Sequence, residues 1–205
     1  LIWIDLSYLT LAPLGLLAIY FAIFYTEYAF VALAFFTPLS INIEEYTSSF
    51  GLFIPTEPIL FGLMLLLLMQ QTQRNLILKE VWKNPIIWAV GLYIFWTFIT
   101  SITSTDPIVS FKFLLAKLWF MIPLLLFGPK IFSKKINIKR FLWLFVIAMI
   151  IAIIYTIIVH ASYGFGEKEG HWVMWPFFKD HTIYGSTVAF ITPLIFGLYL
   201  SKKHN

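Results

Sequence analysis

The sequence predicts an all-α fold, a polytopic bundle of transmembrane helices, from three observations. Only 12% of the 205 residues are charged and 60% are hydrophobic, whereas a soluble domain carries about a quarter charged residues. Mean hydropathy is +0.88. The apolar runs are unbroken, as in ILFGLMLLLLM (59–69). Such runs exclude the alternating apolar and polar residues of a membrane barrel. They leave helices, which satisfy their own backbone groups in lipid.

A span needs about 20 apolar residues, fewer where the flanks reach the headgroups. The first two runs, 9–24 and 28–43, are short and parted only by YTE (25–27). They read either as a tight helical hairpin or as one span beside a helix lying along the interface, so the count is about six or seven. The third run, 58–71, is opened by Pro58, which suits a first helical turn. The fourth and fifth, 85–102 and 111–127, flank STDPIVS (104–110), which reads as a turn and helix start with Asp106 before Pro107. The sixth is 141–161. The seventh, 182–200, follows Asp180, a candidate N-cap with Thr182 and Ile183 opening the first turn. All of 1–205 reads as a single transmembrane domain. It begins at Leu1 and reaches SKKHN directly after an apolar run, so we expect the amino-terminal part of a longer membrane protein.

Charge sets the orientation. Ten of the fourteen basic residues fall in loops 72–84 and 128–140 and in the terminal SKKHN, which the positive-inside rule assigns to the cytosol. The opposite loops hold Glu44, Glu45, Asp106, Glu167, Glu169 and Asp180, with Lys168 and Lys179 as their bases. The net charge of +4 is accounted for by this loop bias and calls for no nucleic-acid partner.

Two lysines break the pattern. Lys112 and Lys117 lie in the outer half of the fifth span, where an ionisable group is costly and usually faces a cavity or a partner. Lys112 can equally snorkel to the outer headgroups. Lys117 lies deeper, which favours an inward, polar-cavity role. Five residues apart, the two point about 140° from each other on a helix, so they need not share a partner.

The loop ASYGFGEKEGHWVMWPFFKDHTIYG (161–185) starts Gly-rich and charged, as an exposed loop does. HWVMWPFF (171–178) then reads as an aromatic interfacial belt. Lys179, Asp180 and His181 follow. Beyond capping, a helix start presents unpaired N–H groups, and Lys179 and His181 beside it make a candidate phosphate cradle. Glu57 reads as a helix-start carboxylate and His160 as structural. There is no cysteine, so disulfide and thiolate chemistry are excluded. No phosphate-binding glycine loop or dinucleotide fingerprint is present, nor a nucleophile elbow. His160, His171, His181 and His204 lack helical metal-ligand spacing, so neither a metal nor a cofactor is expected.

PTEPILFGLMLLLL, TSTDPIVSFKFLLAKLWFMIPLLL and PFFKDHTIYGSTVAFITPLIFGLYL, taken in order over 55–200, resemble the amino-terminal half of the O-antigen ligase family, which includes O-antigen polymerases. The resemblance implies a multi-pass glycosyltransferase of the bacterial inner membrane. Such an enzyme takes a glycan from an undecaprenyl-pyrophosphate carrier and passes it, at the periplasmic face and without metal, to lipid A–core, another glycan or a protein. In that family basic residues hold the donor pyrophosphate, and an arginine and a histidine in a later periplasmic loop serve the chemistry. Those segments have no counterpart in 1–205, so no catalytic residue is carried over. The donor-site expectation rests on Lys112, Lys117, Lys179 and His181. The competing readings are a transporter or flippase, for which Pro38 and Pro123 would be helix breaks, and a noncatalytic membrane subunit.

Overall fold

The computed structural model describes residues 12–43 and 52–203. The loop acids Glu44 and Glu45, the start of the first expected span at 9–11, and His204 lie outside the described residues. Two short helices come first, α1 (Ala12–Phe24) and α2 (Thr26–Phe36). Tyr25 alone, with φ −126° and ψ 45°, breaks the helix between them. A 3₁₀ turn (Thr37–Leu39) leads into β1 (Ile41–Asn42). This pairs antiparallel with β2 (Phe53–Ile54), Ile41 opposite Ile54. The remaining helices are α3 (Thr56–Gln73), α4 (Lys79–Lys83), α5 (Pro85–Ile102), α6 (Pro107–Met121), α7 (Gly128–Phe132), α8 (Lys135–Ser162) and α9 (His181–Lys203).

The all-helical, multi-pass reading stands, but the span count of six or seven does not. Among the described residues four helical segments are long and apolar enough to cross a membrane: Pro85–Ile102, Pro107–Phe132, Lys135–Ser162 and His181–Leu200. Within the described residues the first two expected spans fall short, with 13 residues of α1 and 11 of α2. At 1.5 Å per residue neither covers the roughly 30 Å hydrocarbon core. The third falls short in composition, since α3 opens with Thr56 and Glu57 and closes on Gln70, Gln71, Thr72 and Gln73. The 58–71 run instead packs one face into the fold, with Leu60, Leu63, Met64 and Leu67 inside.

Pro123 explains the form of the second long segment. A proline ring removes an N–H and clashes with the preceding turn of an α-helix. Here the chain widens into a π-helical stretch, Ile122–Phe127, the usual accommodation of such an insertion. The helix then resumes as α7, so Pro107–Phe132 is one segment with an irregular middle.

Packing is concentrated on α2 and α8, the most extensive helix contact in the fold. Ala148 and Ala152, four residues apart on α8, are wholly buried, and small residues at such spacing let membrane helices approach closely. Phe30 and Val31 of α2 join Leu67, Phe127 and Ile131 in one cluster, while Ala29 and Leu33 join Leu60 and Leu63 in another. The α5–α6 hairpin is peripheral, and only 6% of the α5 span is buried within the chain, against 28% for α8. An apolar helix exposed on nearly all sides is untenable in water and ordinary in lipid.

The basic loops meet at one end. Lys130 Nζ donates to the Asn75 carbonyl at 2.8 Å, and Lys134 pairs with Glu27 at 2.7 Å. We call this the inner end, following the positive-inside rule. From it α8, with 28 residues, rises about 42 Å to the outer end.

Candidate outer-face site

The outer end is capped by the segment between α8 and α9. α8 stops at Ser162, and Gly164 (φ 66°) and Phe165 (φ 56°) turn the chain back. Glycine adopts this left-handed conformation freely, whereas a phenylalanine does so at a cost of about 1–2 kcal/mol. His160 helps to hold the reversal. Its Nε2–H donates to the Gly166 carbonyl at 3.0 Å, and its ring meets Phe165 edge-on at 5.2 Å. A hydrogen bond to a carbonyl puts the proton on Nε2, so His160 is structural, in line with the sequence reading.

The stretch expected to be an interfacial belt divides by residue. Trp172 and Trp175 are exposed. Val173, Met174 and Phe178 instead turn inward and pack with Val146, Met149 and Ala152 of α8 and Ile191 and Leu198 of α9. The loop is thus a plug wedged between the two helices. Phe177 stacks edge-on against Tyr155 at 5.2 Å, Phe178 meets Tyr184 at 5.4 Å, and the Tyr184 hydroxyl reaches Thr156 on α8.

The plug delivers Lys179, Asp180 and His181 to the start of α9. Asp180 is its N-cap: Oδ1 accepts from Thr182 N at 2.8 Å and from Ile183 N at 2.9 Å. The backbone N–H of Ile183, ahead of the Thr182 bonds and the His181 charge, holds the Asp180 carboxyl below the usual aspartate range. This capping narrows the expected cradle. Two of the orphan N–H groups that would greet an anion are already bonded to a carboxylate. Anion affinity here must come from side chains.

Those side chains include one that sequence reasoning passed over. His171 Nδ1 and His181 Nδ1 lie 3.1 Å apart, with ring centroids at 4.4 Å and planes at 80°. A bond between two such nitrogens needs one to donate and the other to accept, so the accepting ring is neutral and carries its proton on Nε2. Both rings are exposed, as is Lys179. The available signal was that the two histidines bracket the aromatic run. A loop that closes on itself brings its ends together. Two histidines do not make a metal centre, and among the described residues no three His, Cys, Asp or Glu side chains converge.

Lys112 and Lys117 sit elsewhere. α6 packs on α5 and α3, whereas α9 packs on α8. Lys112 is exposed near the outer start of α6. Lys117 is half-buried, its ammonium 4.3 Å from the ring centre of Tyr93 on α5 and 4.3 Å from that of Phe113. Both contacts are with aromatic faces, an attraction worth about 0.5–2 kcal/mol each. The α5–α6 turn is built as the sequence reading had it. Asp106 Oδ1 caps Val109 N at 3.3 Å, and Ser104 accepts from the Ser110 hydroxyl at 2.7 Å. Glu57 stands in the first turn of α3, half-buried, and accepts a hydrogen bond from the backbone N–H of Phe53.

The chain matches no family model, and neither a curated protein nor a solved structure matches it.

Proposed function

We propose that the chain forms the donor-side part of a membrane glycosyltransferase of O-antigen ligase type. On this reading it lies in the bacterial inner membrane and takes a glycan from an undecaprenyl-pyrophosphate carrier at the periplasmic face. The acceptor is lipid A–core or another glycan. The resemblance of the segments within 55–200 supports this, and one observation carries it. Lys179 and the His171–His181 pair stand exposed together on a folded cap at the mouth of α8 and α9. A polyprenyl diphosphate would present its head at that level. The ammonium and the outward Nε2–H of the accepting histidine are charge and donor for the leaving diphosphate, a form of electrostatic stabilisation. The base for the acceptor hydroxyl is supplied from outside 1–205.

A carrier is the second reading, and the π-helical break at Pro123 favours it. A carrier of charged cargo also needs an intramembrane charge facing a polar partner, and Lys117 faces rings. That same contact suits a noncatalytic subunit, in which Lys117 serves packing alone.

The test uses the full-length protein in cells. Lys179→Gln and His181→Ala are each expected to cut glycan transfer about ten- to a hundredfold, the worth of one charge-assisted contact, with membrane levels unchanged. Lys117→Ala is expected to impair transfer less. Wild-type glycan profiles in both outer-cap variants would remove the donor site from this face.

A further inference from the structure

A cleft lies at the inner end, far from the outer cap, and the glycan reading makes no use of it. Its volume is about 430 Å³, and it opens between the α1–α2 joint, the end of α3 and α7. Its lining includes the charged residues Arg74, Lys130, Lys134 and Glu27. Three cations against one carboxylate leave it at +2. The same lining includes the apolar Phe24, Leu67 and Phe127. Phe24 is 66% exposed, an aromatic surface at the level where α1 meets the joint.

The cations are not equally engaged. Lys134 is tied to both Glu27 oxygens, at 2.7 and 2.8 Å. Lys130 gives one bond to the Asn75 carbonyl and keeps two protons. The Arg74 guanidinium, exposed at the end of α3, makes no ion pair with any described residue. Gln70, also in the lining, donates to Thr26 Oγ1 at 3.0 Å, which ties the end of α3, next to Arg74, to the start of α2, which carries Glu27.

We infer that this cleft is a binding site for the phosphate headgroup of a net-anionic phospholipid of the inner leaflet. Charge complementarity selects the headgroup, because a planar guanidinium and an ammonium lining one cleft suit a phosphodiester. The apolar lining selects a lipid over a free anion, since acyl chains can continue onto Phe24 and the exposed Leu17, Tyr20 and Phe21 of α1. Basic pockets between helices on the cytosolic side bind anionic headgroups for this reason. Arg140, 5.2 Å over the Tyr28 ring beside the cleft, adds to the field. The site is independent of the glycan reading and would serve to seat the short α1–α2 joint on the membrane.

The experiment is native mass spectrometry of the full-length protein, released from nanodiscs of mixed phosphatidylglycerol and phosphatidylethanolamine. The wild type is expected to retain phosphatidylglycerol preferentially. Arg74→Gln is expected to weaken that retention about fivefold, and Arg74→Lys to restore most of it. Glu27→Gln, which raises the cleft charge, is expected to strengthen it. Lys168→Gln at the outer end is the control and leaves retention unchanged. Equal retention of the two lipids overturns the site, as does indifference to Arg74→Gln in a folded protein. Should Arg74→Gln not fold, weaker retention in Glu27→Gln overturns it. Displacement by millimolar glycerol phosphate as readily as by lipid overturns the lipid assignment in favour of a free phosphate.

Discussion

At the inner end Glu27, Lys130, Lys134 and Asn137 join segments more than fifty residues apart through charged and amide bonds. At the outer end Val173, Met174 and Phe178 do the joining by filling space between α8 and α9, while Lys179, His171 and His181 stay exposed above them. The inner end bridges distant segments with charged groups, whereas the outer end bridges its two helices mainly by apolar packing, spends Asp180 and His160 on local turns, and leaves Lys179, His171 and His181 exposed. A polar group already committed to a structural partner is a poor ligand for anything else. The outer cap, whose packing core is apolar, can therefore lend the exposed Lys179, His171 and His181 to a substrate, whereas at the inner end only the surplus charge is available.

This contrast ranks the consequences of mutation. The largest effect belongs to the outer plug. Met174, 2% exposed, contributes a whole side chain to the α8–α9 cluster. Met174→Ala is expected to cost about 2–5 kcal/mol, as truncation of a buried core residue does. Thermal unfolding of the purified protein in detergent would show it, with amide exchange rising first over 171–180. A change under about 0.5 kcal/mol would mean that the cap is not held by packing.

At the inner end the corresponding residue is Asn137, 3% exposed. Its Nδ2 donates to the Ile131 carbonyl at 2.9 Å and to Glu27 at 3.4 Å. Asn137→Ala strands a buried carbonyl, and about 1–3 kcal/mol is expected to be lost. The same unfolding measurement checks it, and the loss should be smaller than for Met174→Ala.

The two ends were unequally legible in the sequence. Long apolar runs announced α5, α8 and α9, and the start of α9 was readable because Asp180 before Thr182 has the form of a cap. The plug was not readable as such. Val173 and Met174 stand among tryptophans and phenylalanines, and an apolar residue in an interfacial belt has the same letters as one wedged between helices. The His171–His181 contact exists only once that wedge has closed. Lys134 and Glu27 are 107 residues apart, and no local pattern pairs them. Hydropathy also overcounted the spans. It registers that 58–71 is apolar, but not that α3 has polar ends and packs one face against α2.

The smallest effect belongs to the ion pair itself. Lys134 and Glu27 are 58% and 46% exposed as side chains, so water and salt screen them, and such pairs are worth about 0–1 kcal/mol. The Lys134 hydrogen bond, helped by Asn137 and opposed by partial desolvation, lowers the Glu27 carboxyl from its ordinary value. The folded carboxyl therefore titrates below the unfolded one. Its contribution is present above about pH 4.3 and is lost as the pH falls through the depressed folded value. Lys134→Met is expected to change stability by under about 1 kcal/mol at neutral pH. It should also flatten the loss of stability as the pH falls below about 4.3, with the difference shrinking in molar salt. A variant as damaging as Asn137→Ala at neutral pH would show that charge, and not the buried amide, holds the inner end.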